Sequence, residues 1–492
     1  MKFTSTRNDK IEVTGCEAVV KGLSEEGGLF VPAFFPVITS EDMARLSDMD
    51  YAERASFIIA KYLDDLPDLN KYTQKAYERF DGDPTPVTVL GEGLAILELW
   101  HGPTHAFKDV ALTLLPYLLT GSKKVVGKSE RTLILVATSG DTGKAALEGF
   151  KDVEGTDVIV FYPSDGVSNL QKLQMMTQSG DNVCVCAVTG NFDDAQSAVK
   201  KVFTDEQVKE RLKSKNFALS SANSINFGRL VPQVAYYFSA YLDLLNGGEI
   251  KEGEKINFVV PTGNFGNILA GYYAMKMGLP VNKLICASND NNVLTEFIQT
   301  GRYDTHRSFH KTSSPSMDIL ISSNLERLLF ELSGRDCELT AKRMESLAKT
   351  GAYEIEGDEL SLLQKHFYAE WADEEEVSDE IGELFDETGY IMDTHTAVAL
   401  NVYDKYIADT DDETFTVVLS TASPYKFVSA VLDAIGEKVP KSDADALALL
   451  EEVTALDLPR SLSELPTLKK RFTSVIDKDE IKDFVLDYIA KQ

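Results

Sequence analysis

The sequence predicts an α/β protein built on a parallel sheet that helices cover on both faces. Two observations predict it. Apolar runs of strand length recur at 94–97, 132–138, 157–162, 182–188, 217–220, 256–261 and 414–421. A strand with so few polar positions has to be buried on both faces. Between these runs lie segments with apolar residues at helical spacing, and strands alternating with helices argue parallel pairing.

Length and composition set the bounds. The chain has 492 residues, enough for two or three domains. Apolar residues make up 43% and charged residues 26%, the balance of a globular protein. No run approaches the 18 or so apolar residues of a membrane-spanning helix, and Met1 to Arg7 hold no apolar signal core. Lys and Arg number 49 against 78 Asp and Glu, a formal charge of −29. Such a chain repels nucleic acid and anionic membranes, so neither is expected as a partner. An anionic substrate must then be gathered by local donors against the global field. Five cysteines stand scattered at 16, 184, 186, 286 and 337, without metal spacing. They fit a reducing, cytoplasmic compartment.

In chain order, 22–32 (Gly-Leu-Ser-Glu-Glu-Gly-Gly-Leu-Phe-Val-Pro) is turn-rich and ends in an apolar plug. Residues 40–80 read as helices, and 81–86 as a Pro/Gly loop. The apolar run 94–97 leads into His101-Gly-Pro-Thr-His-Ala-Phe-Lys108-Asp109, and helical spacing begins at Ala106. Lys108 therefore opens a helix after a strand. An amine at the positive end of a helix dipole tends toward a lowered pKa, and a neutral amine can form a Schiff base. Taken alone, a solvated surface lysine fits as well. The strand 132–138 runs into Ser139-Gly-Asp141-Thr142-Gly143 and a helix, the architecture of an anion cradle or of an ordinary βα turn. Ser224, Asn226 and Arg229 cluster at the start of a later helix, and an arginine fork suits phosphate. The strand 256–261 ends in Gly263-Asn264-Phe265-Gly266-Asn267 and an apolar helix. That loop has no Lys or Arg, so an anion there must be held by backbone amides. Residues 338–390 read as acidic and helical. His306 and His310 read as solvated loop residues, and His395 as a packing residue.

These motifs resemble those of threonine synthases, which are fold type II pyridoxal-phosphate enzymes. The similar segments run in the family's order from Gly22 to Phe427: 22–32, 101–109, Ser-Gly-Asp-Thr at 139–142, Asn-Ser-Ile-Asn-x-x-Arg at 223–229, 263–267, and Thr421-Ala-Ser-Pro-x-Lys-Phe427. His105 stands where the family form has Leu, and Ser423 where it has His. The resemblance implies a large parallel-sheet domain, a smaller α/β domain and an N-terminal helical/β domain. It divides the chain into an N-terminal unit (1–90), a cofactor-lysine region with the small domain (91–245), a large domain with an acidic helical insertion (246–440) and a helical tail (441–492).

It also implies pyridoxal 5'-phosphate held by Lys108 as a Schiff base. The cofactor would be bound by Gly263, Asn264, Phe265, Gly266, Asn267, Thr421 (beside the pyridine nitrogen) and Asp141. Substrate contacts fall to Thr138, Ser139, Thr142, Ser224, Asn226 and Arg229, and no metal is implied. The expected reaction converts O-phospho-L-homoserine and water to L-threonine and phosphate, with Lys108 as catalytic base and acid, in a monomer or homodimer. The alternatives are a phospho-lyase on a related phosphorylated amino alcohol, or a non-catalytic pyridoxal-phosphate-binding relative.

Overall fold

The computed structural model describes residues 1–138, 140–164, 167–190, 192–454 and 456–492, without the side chains of 192, 193 and 204. The predicted Ser139 contact thus lies outside the described residues. The chain opens with a small antiparallel sheet, β1 (Lys2–Ser5), β2 (Asn8–Thr14) and β3 (Phe30–Pro32), in the order β2-β1-β3. Three short helices, Ser40–Ser47, Tyr51–Ala60 and Leu69–Tyr77, follow as expected. The first two start with capping boxes, Thr39 with Asp42 and Asp50 with Glu53.

β4 (Val87–Gly91) and β5 (Leu94–Glu98) then begin the large sheet. The chain leaves it to build a second sheet from β6 (Arg131–Ala137), β7 (Thr156–Pro163), β8 (Val183–Thr189) and β9 (Phe217–Ser220). It returns with β10 (Ile256–Pro261) and β11 (Val281–Ser288) and pairs β12 (Arg302–Asp304) with β13 (Ala352–Glu354). The large sheet is completed by β14 (Phe367–Trp371) and β15 (Thr416–Ser420), in the order β14-β11-β10-β15-β5-β4. Every pairing in it is parallel except β4 with β5. Finally β16 (Val475–Asp477) joins the edge of the second sheet, β16-β8-β7-β6-β9, parallel throughout.

The apolar strands are sandwiched as their composition requires. Leu97, Phe258, Val260, Val417 and Leu419 belong to one core with Tyr237 and Tyr273. Their neighbours Ile96, Val259, Ile285 and Val418 belong to another, with Ala397, Val398 and Leu400 of the helix Thr394–Thr410. Among the described residues no helix is long and apolar enough to cross a membrane.

Three details depart from the sequence reading. The helix expected from Ala106 through Leu118 is two helices, Lys108–Leu112 and Leu115–Val125. Pro116 sits in the first turn of the second, where its missing N–H costs nothing. The acidic stretch 338–390 contains β14, a buried-sheet edge disguised by Glu370 and the charges around it. The tail 441–492 is helical but also supplies β16.

One fully buried side chain ties the N-terminal sheet to the rest. Arg327 Nε donates to Phe30 C=O (3.0 Å), Nη1 to Asn324 Oδ1 (2.6 Å) and Nη2 to Ile225 C=O (2.6 Å). Beside it, Glu326 accepts from Arg7 Nε (2.8 Å) and Nη2 (2.7 Å). The 22–32 segment is thereby fixed to the loop before Arg229. Replacing Arg327 with Met removes the donor from three acceptors, at about 1–3 kcal/mol for each left buried and unpaired. Arg327→Met should lower the urea midpoint of unfolding and weaken cofactor retention; unchanged values for both would show this tie to be dispensable.

Candidate active site

In a parallel sheet the C-terminal ends of all strands lie on one side, and the loops after them gather there. β5, β15 and β10 are adjacent, with Ser420 beside Glu98 and Val418 beside Val259. Their following loops carry Lys108, Thr421 and 263–267.

Lys108 is the first residue of its helix, as the sequence predicts. The preceding turn folds back tightly: a Cβ on Gly102 would stand 2.5 Å from Asp109 Cβ. Asp109 then accepts from the Thr104 N–H (2.7 Å) and hydroxyl (2.6 Å), and burial raises its pKa to about 6. His105 adopts φ +59° and pairs with Ser461 Oγ at 2.6 Å. Burial lowers its pKa to about 3, so this imidazole is neutral. Lys108 Nζ donates to Ser316 Oγ (2.9 Å) and lies 3.6 Å from Asp141 Oδ2. Burial pushes this amine below the ordinary lysine pKa; Asp141 opposes the shift, and Lys426 and Arg229 reinforce it.

The 263–267 loop can hold an anion. Its carbonyls are drawn to one side: Gly263 C=O accepts from Ser322 Oγ (2.7 Å), and Asn264 C=O accepts from Asn324 N–H (3.1 Å) and Nδ2 (3.0 Å). Phe265 is left-handed, at φ +60°. Gly266 begins the helix Gly266–Lys276, whose N-terminus has no side-chain cap, so its amides are available to a phosphate. Gly263 leaves room for the neighbouring segment, since a Cβ there would lie 2.9 Å from Ser316 C=O. Asn267 is buried, and its Oδ1 accepts from Tyr236 and, at 2.9 Å, from Tyr237. Among the described residues its Nδ2 has no partner. A buried amide donor without an acceptor is costly, and a ligand oxygen would satisfy it.

Arg229 is a second anion-binding candidate. It is buried, Nη1 donates to Ala222 C=O (2.6 Å), and no carboxylate pairs with it among the described residues. Burial lowers its pKa to about 10, so it stays charged at neutral pH. A buried, unneutralised guanidinium is costly without an anion. Ser224 lies beside the other cradle, its Cβ 3.9 Å from where a Cβ on Gly266 would stand.

Other predicted contacts are engaged within the protein. Asn226 Oδ1 accepts from Gly228 N–H (2.8 Å), and Nδ2 donates to Val19 C=O (3.1 Å), so its amide anchors the helix start to the N-terminal unit. Thr138 Oγ1 accepts from the N–H groups of Gly140 and Gly143, both at 3.0 Å, and shapes the loop. Thr142 is half-buried in the first turn of the helix Asp141–Phe150. Thr421 is buried, and its C=O accepts from Phe107 N–H (2.9 Å).

Three residues to which the sequence reading gave no chemistry stand in the centre. Ser316, from a short 3₁₀ turn, contacts Lys108. His395 Nδ1 bonds Asp393 Oδ2 (2.7 Å) while Nε2 accepts from Ser316 N–H (3.2 Å), an arrangement that fixes the neutral tautomer. Read as a packing residue, His395 does pack on Phe427, but it also places Ser316. Lys426 Nζ pairs with Asp141 Oδ1 at 2.7 Å.

Family models match the chain end to end: "Threonine synthase N terminus" over residues 2–77, "Pyridoxal-phosphate dependent enzyme" over 83–421 and "Threonine synthase, C-terminal" over 396–485. Threonine synthase of Saccharomyces cerevisiae is 35% identical over 99% of this chain and 98% of its own. The chain belongs to the threonine synthase family.

Solved structures agree with this membership. A pyridoxal-phosphate-bound threonine synthase from Brucella melitensis superposes with TM-score 0.88 at 35% identity, covering 100% of this chain and 99% of its own. Human threonine synthase-like 1 is 41% identical over 89% of this chain, which spans 60% of that relative's length. The cofactor of this threonine synthase family member is pyridoxal phosphate, and the residues present fit it. The uncapped helix at Gly266 and the unpartnered Asn267 Nδ2 suit its phosphate, and the buried Lys108 amine suits its aldehyde.

Asn267→Asp would keep the acceptor for Tyr236 and Tyr237 but turn the free donor into a carboxylate facing the phosphate. Losing a charge-assisted hydrogen bond is worth about 1.5–3 kcal/mol, so the dissociation constant for pyridoxal phosphate should rise at least about tenfold. Fluorescence titration of the cofactor-free protein would measure it; unaltered affinity would remove Asn267 from the cradle.

Proposed function

We propose that this protein is a threonine synthase: it converts O-phospho-L-homoserine and water to L-threonine and phosphate. The observation that carries the reading is the pair of anion cradles around one buried amine. The Gly266 helix start accounts for the phosphate of the cofactor, and Arg229, buried without a carboxylate, accounts for a second phosphate, on the substrate. The cofactor supplies an electron sink for carbanions formed on the substrate.

The protein's own residues do the rest. Arg229 binds the substrate phosphate and orients the γ carbon, while Ser224 stands at the Gly266 cradle. With its amine free, Lys108 would remove and return protons at the α and β carbons of the substrate. In balance, the bond from the γ carbon to phosphate oxygen breaks, hydroxide from water adds at the β carbon, and the proton lost from the β carbon is returned at the γ carbon. The remaining water proton leaves with phosphate. Ser316 accepts from the Lys108 amine (2.9 Å) and would hold it toward the reacting carbons. Thr421 would offer a neutral hydroxyl to the pyridine nitrogen, and Asp141 would lie beside the ring. All five cysteines are free, and we assign the enzyme to the reducing cytoplasm.

The second reading is a phospho-lyase: loss of phosphate without water addition at the β carbon, giving a keto acid and ammonium. Purified protein given O-phospho-L-homoserine should release phosphate and threonine in equal amounts, and Lys108→Ala should release neither. Phosphate with a keto acid would replace the reading by the lyase. Arg229→Met should raise KM about 10- to 100-fold, the worth of charge-assisted bonds to phosphate; an unchanged KM would place the substrate phosphate elsewhere.

A further inference from the structure

The Asp141 carboxylate lies between two buried amines and is shared unequally. Its Oδ1 is 2.7 Å from Lys426 Nζ, and its Oδ2 is 3.6 Å from Lys108 Nζ. Lys426 and Asp141 are both almost wholly enclosed, with side chains 1% and 3% exposed. Lys426 cannot swing away, because Nζ also donates to Thr104 C=O (2.9 Å), itself fixed by Asp109. Gln171 Nε2 holds the same Oδ1 at 3.1 Å. A buried carboxylate this close to a lone amine would keep that amine protonated, and an ammonium has no lone pair to offer a carbonyl.

We propose that Lys426 is a positioning residue that neutralises Asp141, so that the pair presents no net charge to Lys108 and leaves its amine free to react with the cofactor aldehyde. In that reaction the Lys108 nitrogen bonds to the aldehyde carbon, and the aldehyde oxygen leaves as water with the two amine protons. The charges bearing on the arrangement come from every packed element. Arg229, on the helix Phe227–Gly247, repels a proton on Lys108. His395, on the helix Thr394–Thr410, is turned to Asp393. Lys144, one turn beyond Asp141, pairs with Glu148 (3.5 Å). Against the effect of burial, Lys426 holds Asp141 ionised. The inference rests on Lys108 being the cofactor lysine but not on the identity of the substrate.

The test is the pH dependence of reloading. The full chain, stripped of cofactor, is mixed with pyridoxal phosphate from about pH 6 to about pH 10, and growth of the absorbance band is timed. Borohydride reduction and peptide mapping locate the attachment in each variant. Lys426→Met leaves Asp141 to Lys108, and the pH midpoint should rise by about one unit or more, slowing reloading about tenfold below it. Asp141→Asn with Lys426→Met removes both charges and should bring the midpoint back toward wild type, whereas Asp141→Asn alone should lower it. The double variant buries no lone charge, so with Asp141→Asn it keeps the test open should Lys426→Met not fold. Equal midpoints in all variants, or equal rises in the single and double Lys426 variants, would overturn the role of Lys426 alone. Attachment at another lysine would overturn the Lys108 assignment with it.

Discussion

Parallel pairing forces the loops after neighbouring strands to meet, and in this protein three such loops meet over the ends of β5, β15 and β10. The register leaves little freedom: Ser420 lies beside Glu98, so Thr421 arrives next to the turn that carries Lys108. The Phe107 N–H then bonds the Thr421 carbonyl, and Ala106 bridges to Ala422. The second sheet contributes Asp141 from the end of β6 in the same way. Each candidate group is thus set by a strand end, with the short turn at Ser316 closing the space between them.

The local charge runs against the global one. The chain carries a formal charge of −29, yet the groups that act on Lys108 are the cations Lys426 and Arg229 and the single carboxylate Asp141. Burial removes these charges from solvent screening, so they act at full strength over a few ångströms while the distant acidic surface is damped by salt. An acidic protein can therefore hold anionic ligands without a basic exterior. The candidate anion donors are few and enclosed: the Arg229 guanidinium, the amides at Gly266 and the Asn267 amide.

The sequence made the sheet strands and the lysine and phosphate loops legible, because an apolar run followed by glycine and a helix start is a local signal. It could not show which residues complete the site. Ser316 reaches Lys108 across 208 positions of chain, from a turn without periodicity. Lys426 reads as one more lysine until β15 brings it to Asp141. Asn226 and Thr138 show the converse: both lie in recognisable motifs, but their side-chain bonds go to the protein, shaping the loops that present Arg229 and Asp141. β14, only five residues long (Phe367–Trp371), does not stand out between the charged helical segments on either side of it. His395 was underestimated because a buried histidine gives the same sequence signal whether it packs or positions a neighbour.

Arg327 gathers Phe30, Ile225 and Asn324, and Asn324 holds the carbonyl of Asn264. The first of these bonds closes a loop of 297 residues, the kind of distant contact that makes folding slow. During synthesis the chain's beginning must wait for its middle, and β5 must wait for β15, before any cradle exists. Cofactor capture is therefore a late event in the life of the polypeptide. A nascent or truncated chain would be colourless, however much of its secondary structure had formed, and the yellow of bound pyridoxal phosphate would mark the molecules whose distant parts have come together.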